Sequence, residues 1–190
     1  MSNSNNERDR HYYRRFMQGD KSGLEELVKL YNDNLIFFLN GFVNNFETSE
    51  DLASDTFCEL LSRNSFYIEK YSFKTWLFQI GRNNAIDYLR RQSKLLKISV
   101  ADNVYELSDK TILEDQILKE EQKVLVHKAL QNIHKDYRDT LHLLYFEEMS
   151  YAEVGIILRK SQRQVKNLTY RGKQSLKKVL EKEGFRYEKL

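Results

Sequence analysis

The sequence predicts an all-α protein of two small helical domains joined by a linker, the second of them a helix-turn-helix domain. Proline is absent and only 7 glycines occur among 190 residues, a composition that suits helices and leaves few chain breaks. Apolar residues recur at three- and four-residue steps in several separate stretches, which is the spacing of one helix face. Two helix-start motifs near the carboxyl end then place a pair of short helices beside each other.

The first domain is predicted to occupy residues 1–92 and to hold four helices. Its clearest signal is an apolar stripe that includes Leu27, Tyr31, Leu35 and Phe38. Asp20, which follows a glycine, is expected to cap the helix that carries this stripe. The first two predicted helices span residues 6–17 and 20–42. The third is predicted to begin at Thr48 or Ser49, and the fourth at Ser72.

The fourth helix has an apolar face and an opposite polar face that is available to a partner. Beyond it, helical periodicity weakens and acidic residues gather, so residues 93–117 are predicted to form an acidic linker. A connector this long is unusual inside one compact domain, which favours a division into two domains. The remaining segment, residues 118–190, forms the second domain.

The second domain is predicted to contain a helix-turn-helix. Two capping boxes, Ser150-x-x-Glu153 and Ser161-x-x-Gln164, fix two helix starts that lie eleven residues apart. Only a tight turn fits between such short helices, which is the spacing of a helix-turn-helix. The predicted helices of this domain span residues 118–133, 136–146, 150–158 and 161–183, with Ala152, Val154, Ile157 and Leu158 facing inward.

Positive charge is concentrated in the last helix. Residues 124–190 carry 14 basic and 8 acidic residues, and the stretch 159–178 contains eight basic residues and no acidic one. The natural partner of such a stretch is the phosphate backbone of a nucleic acid, and the second helix of this motif reads the major groove. The alternative is a solvated helix face without a partner. The candidate DNA contacts are Arg163, Gln164, Lys166, Asn167, Tyr170, Arg171 and Lys173.

Several classes of protein are disfavoured. The sequence has no Gly-rich phosphate loop, no H-E-x-x-H motif and no recognisable catalytic pair of carboxylates, so an enzyme, a cofactor and a metal site are not expected. No apolar stretch is long enough to span a membrane and no secretory signal is present, so we expect a cytoplasmic protein. The single cysteine, Cys58, is expected to be a buried structural thiol.

In the first domain, two segments resemble the extracytoplasmic-function class (group IV) of bacterial RNA polymerase sigma factors. Residues 49–57, SEDLASDTF, resemble the helix that binds core polymerase, and the resemblance implies contacts to core from Glu50, Asp51, Asp55, Thr56 and Phe57. Residues 73–83, FKTWLFQIGRN, and 86–91, IDYLRR, resemble the segment that recognises the promoter minus-ten element. The DNA contacts implied there are Phe73, Trp76, Arg82, Asn83, Asp87, Arg90 and Arg91.

In that family the position of Asn83 captures a base flipped out of the minus-ten element, and an amide can hydrogen-bond such a base. Phe73 and Trp76 could stack on exposed bases, although the core is the favoured place for Trp76, as it is for Phe57. The acidic linker would thread toward the polymerase active-site cleft, or serve only as a tether.

The second domain resembles the family's minus-thirty-five-reading domain through residues 137–141, 150–154 and 165–167. Three positions depart from the family: Arg159 replaces a turn glycine, Asn167-Leu168 replaces Ser-Arg, and Gly81 replaces alanine. Arg159 should therefore adopt a strained left-handed conformation or shift the cap.

The resemblance implies a sigma factor that binds polymerase core and promoter DNA and directs transcription initiation, with an anti-sigma factor as a further partner. The rival hypothesis is a free-standing helix-turn-helix regulator that binds its operator as a dimer. That regulator would account for the second domain but not for residues 49–57 and 73–91. It predicts tight specific DNA binding by the isolated protein, whereas a sigma factor should bind specifically only with core.

Overall fold

The computed structural model describes residues 2–62, 71–99, 126 and 128–182, and the regular secondary structure in those ranges is entirely helical. The chain forms two compact units, Met1–Asp109 and Lys110–Leu190. The boundary between these units falls inside the segment that the sequence predicts as a linker. The all-α, two-unit fold class predicted from the sequence is thus confirmed.

Four helices build the first unit, and three long ones are described in the second. The first unit contains α1 (Ser2–Met17), α2 (Lys21–Val43), α3 (Phe46–Ser62) and α4 (Phe73–Ser99). The second contains α5 (Lys135–Tyr145), α6 (Tyr151–Leu158) and α7 (Gln162–Lys182). Residues 128–131 are also helical, and the rest of the helix predicted over 118–133 lies almost wholly outside the described residues. Within the described ranges, no helix is both long and apolar enough to cross a membrane.

The core of the first unit lies around α2, which packs against α1, α3 and α4. Leu27, Leu35 and Leu39 of α2 are fully buried, as predicted from the apolar stripe. Asp20 caps α2 as expected, since its Oδ1 accepts a hydrogen bond from the Ser22 amide at 3.0 Å. Burial of these leucines stabilises the bundle, because each buried side chain contributes roughly 1.5–3 kcal/mol to the free energy of unfolding.

Gly81 lies where α4 crosses α2, and its lack of a side chain has a steric reason. A Cβ there would lie 2.9 Å from Leu35 Cδ1 and 3.4 Å from Leu39 Cδ2, both on buried leucines. The glycine therefore lets the two helices approach more closely than alanine would. This accounts for the departure from the family at position 81 in terms of packing.

The start of α3 corrects a prediction. The helix begins at Phe46 rather than at Thr48 or Ser49. Asn45 takes the capping role, since its Oδ1 accepts a hydrogen bond from the Thr48 amide at 2.8 Å. Ser49 is buried inside the helix and donates its hydroxyl to the Asn45 carbonyl at 2.6 Å, so neither predicted residue is the cap.

Two further features of the first unit differ from expectation. Helix α4 continues to Ser99 and thus extends into the segment 93–117 that was expected to be linker. Its last turns contain helix-forming Lys and Leu and no Gly or Pro, so the helix persists without an apolar stripe. Cys58 is exposed rather than buried, because the buried positions Ala53, Thr56, Phe57 and Leu60 lie on the other face of α3.

The second unit has two apolar clusters. Leu130, Ile133 and Leu141 form one, with Leu176 and Val179 of α7 packed against it. Val154, Ile157 and Leu158 of α6 are buried, as predicted from the helix-turn-helix pattern. Ala152 is exposed, contrary to expectation, since it lies in the first turn of α6.

Candidate functional site

An acidic surface follows the outer face of α3. Glu50, Asp51 and Asp55 are exposed there, and Asp51 and Asp55 lie at the four-residue step that aligns side chains on one helix face. Their carboxylates form no ion pair with any other described residue. Since no residue of the described ranges neutralises them, this surface carries three charges that a basic partner can bind.

Thr56 and Phe57 lie on the opposite, inner face of α3. Thr56 is fully buried and donates its hydroxyl to the Leu52 carbonyl at 2.6 Å. It also accepts a hydrogen bond from Asn84 Nδ2 at 3.3 Å, which ties α3 to α4. Phe57 is 6% exposed, so both residues can affect a partner only by holding the acidic face in place. Phe57 is therefore a core residue, which is the place favoured for it from the sequence.

The polar face of α4 is partly exposed. Arg82 and Asn83 are half-buried, while Asp87, Arg90 and Arg91 are exposed. Arg90 Nη1 lies 2.8 Å from Asp87 Oδ1, one helical turn earlier. The face thus offers the amide of Asn83 and the exposed guanidinium groups of Arg90 and Arg91, which suit hydrogen bonding to bases and phosphates.

The two aromatic residues at the start of α4 differ in exposure. Phe73 is fully buried, with its ring centroid 5.6 Å from that of Tyr13 and 6.1 Å from that of Tyr31. The expectation that Phe73 could stack on a base does not fit this position, and its ring belongs to the core. Trp76 is half-buried and edge-on to Tyr13 at 5.7 Å, so it packs against the core while keeping part of its surface open.

The helix-turn-helix is formed by α6, the turn at residues 159–161 and α7. Both predicted capping boxes are present. The Ser150 hydroxyl accepts from the Glu153 amide at 3.3 Å, and Glu153 Oε2 accepts from the Ser150 amide at 2.9 Å. In the second box, the corresponding distances between Ser161 and Gln164 are 3.2 and 2.8 Å. These bonds fix the first turns of both helices.

Arg159 ends α6 in the left-handed conformation predicted for it, with φ 55° and ψ 47°. Its amide and that of Lys160 donate to carbonyls of the preceding turn, the latter to Gly155 at 2.9 Å. A Cβ at Gly155 would lie 2.7 Å from the Lys160 carbonyl oxygen. The turn therefore depends on the glycine at 155 while it tolerates strain at Arg159, which costs of order 1 kcal/mol.

One face of α7 is open to solvent and basic. The buried residues Val165, Thr169 and Gly172 line its inner side. Each of the seven residues proposed as DNA contacts is exposed: Arg163, Gln164, Lys166, Asn167, Tyr170, Arg171 and Lys173. Tyr170 is the most exposed of the large apolar side chains described, at 69%. The predicted contacts are thus brought together on one helix.

Two tyrosines from other elements lie beside this face, and the sequence did not suggest them. Lys166 Nζ lies 5.9 Å from the centroid of the Tyr151 ring, and Lys173 Nζ lies 4.8 Å from that of Tyr145. Such contacts join segments that are distant in sequence, so periodicity and motifs could not reveal them.

A buried ionisable group lies under the helix-turn-helix. Asp139 of α5 is 5% exposed, and burial raises the pKa of its carboxyl to about 6, although the nearby Arg138 guanidinium opposes the shift. Arg138 Nε donates to Asp139 Oδ1 at 3.3 Å. Close by, His142 Nε2 lies 3.3 Å from Glu147 Oε1. In the part of the chain that is described, no three His, Cys, Asp or Glu residues could together hold a metal ion.

Comparison with known proteins agrees with this arrangement. Residues 27–95 match the family model for sigma-70 region 2, and residues 123–176 match that for sigma-70 region 4. The chain is 27% identical over 157 residues to the ECF RNA polymerase sigma factor SigM of Bacillus subtilis, covering 81% of this chain and 93% of the relative. It is 24% identical over 183 residues to the RNA polymerase sigma-H factor of Pseudomonas aeruginosa, covering 92% and 95%.

Among solved structures, the fold is similar to that of the sigma factor RpoE of Bartonella quintana, determined in complex with the anti-sigma factor NepR. The TM-score is 0.65 at 20% identity, over 83% of this chain and 96% of that one. The fold and the order of the two matched regions together define the class, and the chain belongs to the sigma-70 family. It is an RNA polymerase sigma factor.

Proposed function

We propose that this chain is an extracytoplasmic-function (group IV) sigma factor that acts in the cytoplasm, binding RNA polymerase core through its first domain and promoter DNA through both. In this proposal residues 1–92 form the core-binding and minus-ten domain, 93–117 the linker, and 118–190 the minus-thirty-five domain. The observation that carries it is the presence, in one chain, of an exposed acidic face on α3 and an exposed basic helix in a capped helix-turn-helix.

Core binding is assigned to the acidic surface of α3. Glu50, Asp51 and Asp55 would contact basic residues of the largest polymerase subunit directly. Thr56 and Phe57 would contribute from inside by fixing the helix against α4. Complementary charge mainly speeds association and fixes the register of a complex, so the carboxylates should matter together more than singly.

Minus-ten recognition is assigned to the polar face of α4. Asn83 would hold a base flipped out of the duplex, and its hydrogen bonds would offset the few kcal/mol lost on unstacking. Arg82, Arg90 and Arg91 would contact phosphates, with Asp87 orienting Arg90 through the ion pair described above. Trp76 would stack on single-stranded DNA through the exposed part of its ring.

Minus-thirty-five recognition is assigned to α7. Arg163, Gln164 and Asn167, near its amino end, would reach base edges in the major groove. Lys166, Tyr170, Arg171 and Lys173 would contact the backbone. If about six phosphates are neutralised, the logarithm of affinity falls with the logarithm of salt with a slope of roughly −5.

An anti-sigma factor is proposed as a regulatory partner. The structurally similar RpoE of Bartonella quintana was determined with such a protein bound. Purification of the chain from its native cells should recover a stoichiometric partner besides polymerase. Recovery of polymerase alone, under conditions where the sigma factor is inactive, would count against this part of the proposal.

The core-binding assignment is tested by removing charge without changing shape. In the variant Glu50→Gln, Asp51→Asn, Asp55→Asn, affinity for purified core polymerase should fall by about tenfold or more, since several charge-assisted contacts are lost. The matched control removes the exposed carboxylates Glu25 and Asp33 of α2 in the same way. Equal affinities of wild type and triple variant would refute the assignment.

A further inference from the structure

Four lysines near the helix-turn-helix fall into two groups according to their partners. In the first group the partner is a carboxylate. Lys160 Nζ lies 3.2 Å from Asp136 Oδ2, and Lys177 Nζ lies 3.7 Å from Glu181 Oε1. A carboxylate cancels the lysine's charge and occupies an N–H donor, so these two lysines have less to offer a phosphate.

In the second group the partner is an aromatic ring. Lys166 lies over Tyr151 and Lys173 over Tyr145, at the distances given above. The face of a ring attracts a cation through its quadrupole but carries no net charge. A lysine held in this way keeps its full charge and at least two of its three N–H donors, while its flexible side chain is restricted.

The two ring-held lysines share one face of α7. Lys166, Tyr170 and Lys173 follow each other at four- and three-residue steps, so they lie in a row. The rings that hold them come from outside α7, since Tyr145 ends α5 and Tyr151 begins α6. Both rings are partly exposed, at 50% and 37%. The hydroxyl of Tyr145 also raises the pKa of Lys173, which keeps that ammonium charged.

We propose that Tyr145 and Tyr151 are positioning residues for DNA binding, which hold Lys173 and Lys166 on either side of Tyr170 so that both ammonium groups meet the phosphate backbone. Among these four lysines, the contribution to DNA binding then comes mainly from the ring-held pair and only weakly from Lys160 and Lys177. This inference rests on the proposed function, in which α7 binds DNA.

The test is the salt dependence of DNA binding by the full chain, measured by fluorescence anisotropy with a short labelled duplex of arbitrary sequence. Between about 50 and 200 mM salt, Lys166→Gln and Lys173→Gln should each reduce the slope by roughly one unit. Lys177→Gln, the matched control on the same helix, should reduce it by about half as much or less.

The tyrosines are tested by exchange of the ring. Tyr151→Leu and Tyr145→Leu should each weaken binding by about two- to fivefold, because a lysine that no ring holds must be ordered when DNA binds. Tyr151→Phe keeps the ring and should bind like wild type. In a chain that already carries Lys166→Gln, Tyr151→Leu should have no further effect, because the group that it positions is gone.

The possible results distinguish failure of the proposed function from failure of the positioning role of the tyrosines. A nearly flat salt dependence of the wild type would contradict DNA binding by this domain, and with it the proposed function. A steep wild-type slope with Tyr→Leu variants that bind normally, or with Lys177→Gln as damaging as Lys166→Gln, would overturn the positioning role alone. If a leucine variant loses helicity, as measured by circular dichroism, the salt slopes of the three lysine variants still test the proposal.

Discussion

At the residue scale, contacts between distant segments determine several side-chain environments that local patterns do not predict. Asp9 of α1 is buried and accepts a hydrogen bond from the Tyr31 hydroxyl of α2. Arg8 lies 3.2 Å from the same carboxylate. Burial and the hydrogen bond to Asp9 raise the pKa of Tyr31, while the Arg8 guanidinium opposes the shift. A charged residue in a polar amino-terminal helix gives no sign of such a role, which arises only when the helices pack.

The buried carboxyl of Asp139 predicts a pH dependence of stability. Its pKa of about 6 in the folded state exceeds the value of about 3.9 expected in the unfolded chain, so folding favours the protonated form. The free energy of unfolding should therefore fall as pH rises from about 4 to 6 and then level off.

Asp139→Asn removes this dependence. At pH 7 the variant should be more stable than wild type by about 3 kcal/mol, and near pH 4 the difference should fall to about 0.5 kcal/mol or less. Urea unfolding, followed by circular dichroism at both pH values, measures this difference in stability. The contributions of other titrating groups cancel, because both proteins contain them. A variant less stable than wild type at pH 7 would show that the Arg138 ion pair outweighs the cost of burial.

The placement of Cys58 shows how residue-scale prediction failed. Apolar neighbours in sequence suggested burial, but helical rotation decides the side: Phe57 and Leu60 turn inward while the position between them turns outward. By contrast, the replacement of the family's turn glycine by Arg159 predicted either a strained conformation or a shifted cap, and the structure has the strained conformation.

At the scale of elements, the helix starts marked by capping boxes were predicted correctly, whereas the start of α3 was not. The boxes at Ser150 and Ser161 involve only residues three apart, so the sequence contains all the information about them. The start of α3 is different, because Asn45, Thr48 and Ser49 are all capable caps. Which of them caps depends on where α2 ends, at the left-handed Asn44.

This difference gives a direct comparison of two caps. Asn45→Ala should destabilise the first domain by about 1 kcal/mol, because the Thr48 amide loses its acceptor. Thr48→Ala should change stability by less than about 0.5 kcal/mol, since its hydroxyl is not the cap. The chain has a single tryptophan, Trp76, so urea unfolding followed by its fluorescence reports on this domain. The reverse order of the two effects would restore the cap at Thr48.

At the scale of the whole molecule, the chain separates two tasks into two units. Apolar periodicity, charge distribution and the family resemblance were enough to predict two helical domains. The acidic face of α3 and the basic face of α7 follow from helix periodicity once the buried side is known. The tyrosines beside α7 and the length of α4 could not be predicted, because tertiary contacts and helix propensity decide them without leaving a motif.

The central claim is that this chain directs RNA polymerase to promoters. Purified protein, mixed with bacterial core polymerase, should initiate transcription from promoters selected out of a random DNA pool. Asn83→Ala should lower initiation by about tenfold, the effect of one or two lost base contacts, while binding to core stays unchanged. Failure to bind core, together with specific operator binding by the chain alone, would contradict the account and support a dimeric helix-turn-helix regulator.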